Sequence, residues 1–227
     1  MPNYKDIEYT LKRSRRKTSS IYVERDGSIS VLVPQQLSDR EIEAMIEQKR
    51  YQIYSHLAQW EDANTKRVYR EFVNGEGFYY LGRNYKLEIV ANQEVPLKLK
   101  NGCFSLRKKN LPKAKEAFIE FYKEKGRKRI PERVEYYRKL LDVNPNEIKI
   151  MELQNRWGSW TPKGNVNFHW KTMMAPLTII DYIIAHELTH LIHPNHSDAF
   201  WNELDKVMPD YLQKKSWLKL NGAGMDL

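Results

Sequence analysis

The chain has 227 residues, with 38 Lys and Arg against 29 Asp and Glu, a formal net charge of 38 − 29 = +9. One cysteine, Cys103, cannot close an intramolecular disulfide, which excludes a disulfide-stapled scaffold and a zinc site built from several thiolates. Six Trp and fourteen Tyr exclude a disordered tail, and the length suits one compact body with a smaller lobe attached. No apolar stretch follows the basic start, so no signal peptide is expected. The longest apolar run, residues 173–185, is broken by Pro176 and Asp181 and falls short of the roughly 20 residues that cross a bilayer. A cytoplasmic protein without a membrane partner is expected. The positive balance permits an anionic partner, a nucleotide or a nucleic acid.

Residues 7–33 read as strands. Ile7, Tyr9 and Leu11 alternate with polar residues, as do Ile21 and Val23, then Ile29, Val31 and Val33. Asp26-Gly27 between the last two runs favours a type I′ hairpin turn. Ser38-Asp39-Arg40-Glu41 is a capping box, and it opens a helix to about Trp60 with Ile42, Met45, Ile46 and Ile53 at helical spacing. Strands return over 78–107, with Asn101-Gly102 as a second hairpin turn. A helical pattern over 113–142 contains Gly126 and Pro131, which imply a break or kink. Asn144-Pro145-Asn146 ends it. Ile148, Ile150 and Leu153 suggest a strand, Gly158 reads as turn material, and Val166, Phe168 and Trp170 form another strand. From Thr178 on the pattern is helical: one helix to about Ile192, a second after Ser197, a third near 212–220. The fold class is α+β. A small antiparallel β lobe with one helix covers 1–111, and a helix, a short sheet and further helices cover 112–227.

His186-Glu187-Leu188-Thr189-His190 is an H-E-x-x-H motif. Two residues four apart on a helix are rotated by only about 40° and lie about 6 Å apart along the axis, so both imidazoles can converge on one ion. Glu187 points about 100° away from its neighbour, which brings its carboxylate to a water rather than to the ion. That is the arrangement of a zinc hydrolase with a Glu general base. A catalytic zinc usually has a third protein ligand, and His193, His196 and Glu203 are the candidates. His193 shares the helix face but sits roughly 7 to 8 Å too far along the axis. Pro194 and Asn195 turn the chain, which lets His196 fold back toward the ion. Glu203 would serve if the next helix supplied a carboxylate. A metzincin needs Gly where His193 stands, so that subclass is rejected.

With Arg156-Trp157-Gly158-Ser159, Lys163-Gly164-Asn165-Val166, Ile180-Asp181-Tyr182, Asn195-His196-Ser197, Phe200-Trp201 and Pro209-Asp210-Tyr211 around this motif, residues 147–220 resemble the YgjP-like metallopeptidases, small zincins related to the SprT-like and WLM proteases. A weaker likeness runs through Asp26-Gly27, the strand ending at Pro34, and Tyr80-Leu81-Gly82. The resemblance implies a zincin-type metallopeptidase domain after the β lobe. It implies Zn2+ held by His186, His190 and His196, with Glu187 as the catalytic base acting on a peptide or protein substrate. The family usually has Cys after the Gly-Ser, where this chain has Trp160, so no role is assigned to that side chain. In zincins, the resemblance further implies, a strand such as 166–170 is an edge strand that binds peptide by strand addition.

Arg156 is a candidate for substrate binding or for steadying the transition state, and His169 for lining the cleft. Tyr211 is a candidate oxyanion donor. Basic clusters at Lys12-Arg13 with Arg15-Arg16-Lys17, at Arg107-Lys108-Lys109 and over 123–129 read as solvated faces or as phosphate contacts. The leading expectation is a zinc-dependent metallopeptidase. Alternatives are a metal-dependent nucleoside triphosphate pyrophosphatase or other phosphoanhydride hydrolase, a DNA-associated protease, and a non-catalytic zinc module.

Overall fold

The computed structural model describes residues 2–24, 27–64, 70–153 and 156–227, with backbone alone for 59–64. The chain divides into two compact units, Met1–Arg67 and Val68–Leu227.

In the first unit, β1 (Asn3–Tyr4) and β2 (Ile7–Glu8) form a short hairpin. β3 (Thr10–Ser14), β4 (Ser20–Val23) and β5 (Ile29–Pro34) make a sheet in the order β3-β5-β4. Here the expectation of a wholly antiparallel lobe is corrected, because β5 lies parallel to β3 and antiparallel to β4. The reason lies in β5 itself. Ile29, Ser30, Val31 and Val33 are all buried, so both faces are covered, and such a strand takes the centre of its sheet. Asp26 of the expected turn lies outside the described residues. α1 (Asp39–Asn64) begins where the capping box places it: Ser38 N–H and Oγ donate to Glu41 Oε2 at 2.8 and 2.7 Å. It continues past Trp60, and Ile42, Ile46 and Ile53 bury against Val31 and Val33.

The second unit opens with β6 (Gly77–Tyr80), β7 (Arg83–Val90), β8 (Leu97–Lys100) and β9 (Cys103–Arg107), ordered β6-β7-β9-β8. β7 and β9 are again parallel. The β8–β9 turn has Asn101 at φ 52° and Gly102 at φ 78°, the two positive angles of a type I′ turn. α2 (Ala114–Leu141) packs on this sheet, with Phe118 stacked on Phe78 at 4.3 Å between ring centroids and tilted against Phe104 at 5.0 Å. The domain boundary expected at 111/112 therefore falls inside the second unit. α2 is a single helix, without the expected break. Gly126 is the residue that lets it approach β10 (Glu147–Met151): a Cβ there would lie 3.1 Å from Ile150 Cγ2. Pro131 removes the bond to the Arg127 carbonyl, and Arg127 is exposed, so water can replace that donor.

β11 (Gly158–Trp160) and β12 (Asn165–His169) complete a sheet ordered β10-β12-β11, with β10 parallel and β11 antiparallel to β12. Two expectations change here. Gly158 is a strand residue rather than turn material, and the 166–170 strand is central, flanked on both sides. α3 (Leu177–Thr189) follows a short 3-10 helix, Trp170–Met174. The Leu81 and Gly82 amides anchor this segment by donating to the Met173 and Met174 carbonyls at 2.9 and 3.0 Å. Arg133 of α2 grips Asp181 of α3 in a bidentate pair, both bonds 2.7 Å. α3 stops three residues short of Ile192, where the amides of Leu191 and Ile192 turn to bonds three residues back. α4 (Asp198–Val207) and α5 (Tyr211–Asn221) pack on α3.

The last residues are tied into this unit. Met225 is buried, Lys171 pairs with Asp226 at 2.6 Å, and Arg70 Nε donates to the Asp226 carbonyl at 3.3 Å. Gly222 lies against Trp157, where a Cβ would stand 3.0 Å from Cζ2. Among the described residues, no helix is long and apolar enough to cross a membrane.

Candidate metal centre

α3 is almost wholly buried, with Ile179, Ile180, Ile183, Ile184 and Leu188 in the core, and this fixes which way its polar residues face. His186 and His190 emerge on one side of its last turn. The chain then turns through Pro194 and Asn195, and His196 returns to the same point. The candidate ligand atoms of the three histidines all lie within 4.8 Å of one another. The Nε2 atoms of His186 and His196 approach to 2.9 Å. Nitrogens arranged tetrahedrally about a zinc at 2.0–2.1 Å stand about 3.3 Å apart, so this cluster needs only small ring adjustments to take such an ion.

The donor chemistry fits as well. Burial, and then the neighbouring His190, His196 and Lys215, push His186 down to a pKa of about 3. Burial lowers His190 and His196 too. All three imidazoles are thus neutral at physiological pH, the form that ligates metals. His190 Nδ1 lies 3.1 Å from the His193 carbonyl and donates to it, which leaves the Nε2 lone pair free. The Phe200 ring lies under all three, with centroids at 5.0, 4.6 and 4.8 Å from His186, His190 and His196. Two indoles lie against the cluster: Trp160 of β11 stacks on His190 at 5.8 Å and 18°, and Trp201 of α4 stacks on His196 at 5.4 Å and 19°.

Glu187 points away from the histidines' face and is 7% exposed. It lies against the backbone of β11, where a Cβ added to Gly158 would sit 2.5 Å from Glu187 Cγ and 2.6 Å from Oε1. Only glycine leaves room for this carboxylate. Burial raises Glu187 to a pKa of about 8, and the charge of Arg156 pulls in the other direction. A buried carboxylate with raised proton affinity is suited to accept a proton.

The remaining candidates separate. His193 serves through its carbonyl and its ring is outside the cluster. Glu203 pairs with Lys206 at 2.6 Å. Arg156 is exposed, within electrostatic reach of Glu187. His169 neither lines an edge nor faces solvent. It is fully buried, with Nε2 3.2 Å from Glu152 Oε1 and Nδ1 accepting the Lys171 amide at 3.0 Å. Tyr211 stacks on Trp201 at 5.4 Å and 14°. Gly158, Trp160 and Trp201 were given no part by sequence reasoning about chemistry. Gly158 and Trp201 do lie inside the quoted family motifs, the one signal that could have found them.

The YgjP-like family model, described as a metallopeptidase domain, matches residues 17–221. The crystal structure of the metallopeptidase zymogen of Pyrococcus abyssi abylysin is similar over 39% of this chain and 90% of that one, at 21% identity and a TM-score of 0.37. No curated protein matches the chain.

Proposed function

Since this chain belongs to the YgjP-like metallopeptidase family, we propose that it is a zinc-dependent peptidase in which His186, His190 and His196 hold the ion and Glu187 is the catalytic base. The observation that carries this reading is the joint placement of the three histidines and Glu187. The histidines converge from α3 and the loop after it, while the neighbouring carboxylate is held apart from them against Gly158.

When bound, the ion supplies a Lewis acid that acidifies water and polarises the scissile carbonyl. Glu187 takes a proton from the attacking water on a carboxylate oxygen and later delivers it to the leaving amine nitrogen. Its burial keeps bulk water from competing for that proton and strengthens electrostatics within the site. Arg156, exposed and close enough to act electrostatically on Glu187, would be the residue to meet a substrate carboxylate or the developing oxyanion. The positive balance of the chain permits an anionic substrate without selecting one.

Replacing Glu187 with Gln tests the reading. Peptide turnover is expected to fall by at least about a thousandfold while one zinc per chain is retained. Full activity in the Gln variant would sink the mechanism. Release of phosphate or pyrophosphate from nucleotides, lost in the same variant, would replace the peptidase with a phosphoanhydride hydrolase.

A further inference from the structure

Metal-binding histidines are usually held by a hydrogen bond from the ring nitrogen that does not bind the ion. His190 has this arrangement through the His193 carbonyl. His186 does not: its Nδ1 is buried with no hydrogen-bond partner. His186 lies on α3 and is packed between Tyr182 and Phe200, so helix and ring contacts orient it. His196 has no helix to fix it, and of its ring contacts the Phe200 edge at 4.8 Å is shared with His186. It sits exposed in the loop between α3 and α4.

What faces it is a column of flat groups. Trp201 is parallel to the His196 ring within 19°, and Tyr211 is parallel to Trp201 within 14°, each step 5.4 Å between centroids. The Lys215 ammonium lies 4.1 Å from the Trp201 ring centroid, a cation–π contact. Tyr211 and Lys215 both belong to α5, four residues apart and therefore on one face. α5 thus holds the indole, and the indole faces the loop histidine.

We propose that Trp201, held by Tyr211 and Lys215, is a positioning residue that sets the ring plane of His196 for metal binding. The proposal rests on the three-histidine reading of the site. It differs from a plain packing role because it acts on the orientation of one ring, and any aromatic plate of adequate size performs it. A stacked pair contributes through geometry beyond buried area, and an aliphatic side chain of similar volume supplies the area without the geometry.

The test compares wild type, Trp201→Leu, Trp201→Phe and Tyr211→Leu. Zinc affinity is measured by chelator competition, and the His196 ring protons are followed by NMR in the metal-free protein. The wild-type ring protons are expected upfield of their ordinary positions, because the indole ring current acts on them, and Trp201→Leu returns them. Zinc affinity falls on the order of tenfold in Trp201→Leu. Trp201→Phe stays within about threefold of wild type. Tyr211→Leu keeps the indole but removes one of its two supports and weakens affinity by a smaller factor, so it reads the column even where Trp201→Leu folds poorly. Stoichiometric zinc in wild type with unchanged affinity in Trp201→Leu and Tyr211→Leu overturns the positioning role alone. Equal losses in the Leu and Phe variants overturn the stacking argument. A wild-type chain that binds no zinc overturns the site reading, and this proposal with it.

Discussion

At the scale of single residues, two pieces of chain distant in sequence meet at Glu187: α3 carries it beside His186, and β11 supplies Gly158, whose missing Cβ makes room for the carboxylate. That His186 and His190 converge while Glu187 turns aside follows from spacing, because their relation is set within about one helical turn. His196 was legible one step further, through the turn that Pro194 and Asn195 force. Gly158 was not, because its role arises where a strand distant in sequence meets Glu187. His169 shows the converse. Its position on a strand before α3 suggested a cleft residue, but β12 is central and the ring is buried against Glu152. Gly158→Ala is expected to displace the Glu187 carboxylate, with kcat falling on the order of a hundredfold or more while zinc content stays near wild type. Steady-state kinetics beside metal analysis checks this, and an unchanged kcat would show that Glu187 has another place to rest. Glu187 also sets a stability trade. Its folded pKa is raised from 4.5 to about 8, so in metal-free protein the charged form opposes folding increasingly as pH rises through that window. Glu187→Gln should therefore stabilise chelator-treated protein by on the order of 1–3 kcal/mol at pH 8 and by little at pH 4.5. Thermal melts at the two pH values decide it.

At the scale of elements, local chemistry placed the start of α1 and the Asn101-Gly102 turn well. The capping box at Ser38 and the Asn101-Gly102 turn are both formed, because each is settled by backbone groups a few residues apart. Strand order was not legible: parallel partners such as β10 and β12 meet only after a crossover, and side-chain alternation is the same in both orientations. The uninterrupted course of α2 was missed for a related reason. Gly126 and Pro131 look like breakers in isolation, yet one is a close approach to Ile150 and the other leaves a carbonyl on an exposed residue. The clamp between α2 and α3 carries its own prediction. Asp181→Ala removes both bonds to Arg133, and because Arg133 can reach water in part, the loss should be about 1–2 kcal/mol. Denaturant unfolding measures it, and a change below about 0.5 kcal/mol would mean the pair is only surface decoration.

At the scale of the whole molecule, the four-stranded sheet and the helices around the three histidines share one core, from Phe78 through Phe118 and Trp170 to Phe200. Sequence reading placed a boundary at 111/112 because composition shifts there, but composition does not report which faces meet. The chain's end belongs to the same body. Burial pushes the Asp226 carboxyl up, but the hydrogen bond and charge of Lys171 outweigh it and hold the pKa below 3.8. A lowered carboxylate adds stability above its ordinary value, and that stability is lost as pH falls below about 4. Wild type should therefore exceed Lys171→Met in melting temperature at pH 7, with the gap closing by pH 3.

That anchoring has a consequence for the chemistry. Gly222 rests on Trp157, and one residue on from Trp157 is the glycine that Glu187 leans against. Gly222 and the residues after it thus buttress the strand on which Glu187 rests. A protease that trimmed the final six residues would loosen that strand while leaving the three histidines on their own supports. On the proposed reading, a chain clipped there would still bind the ion and turn over substrate poorly, a form of damage that a metal assay passes and a substrate detects.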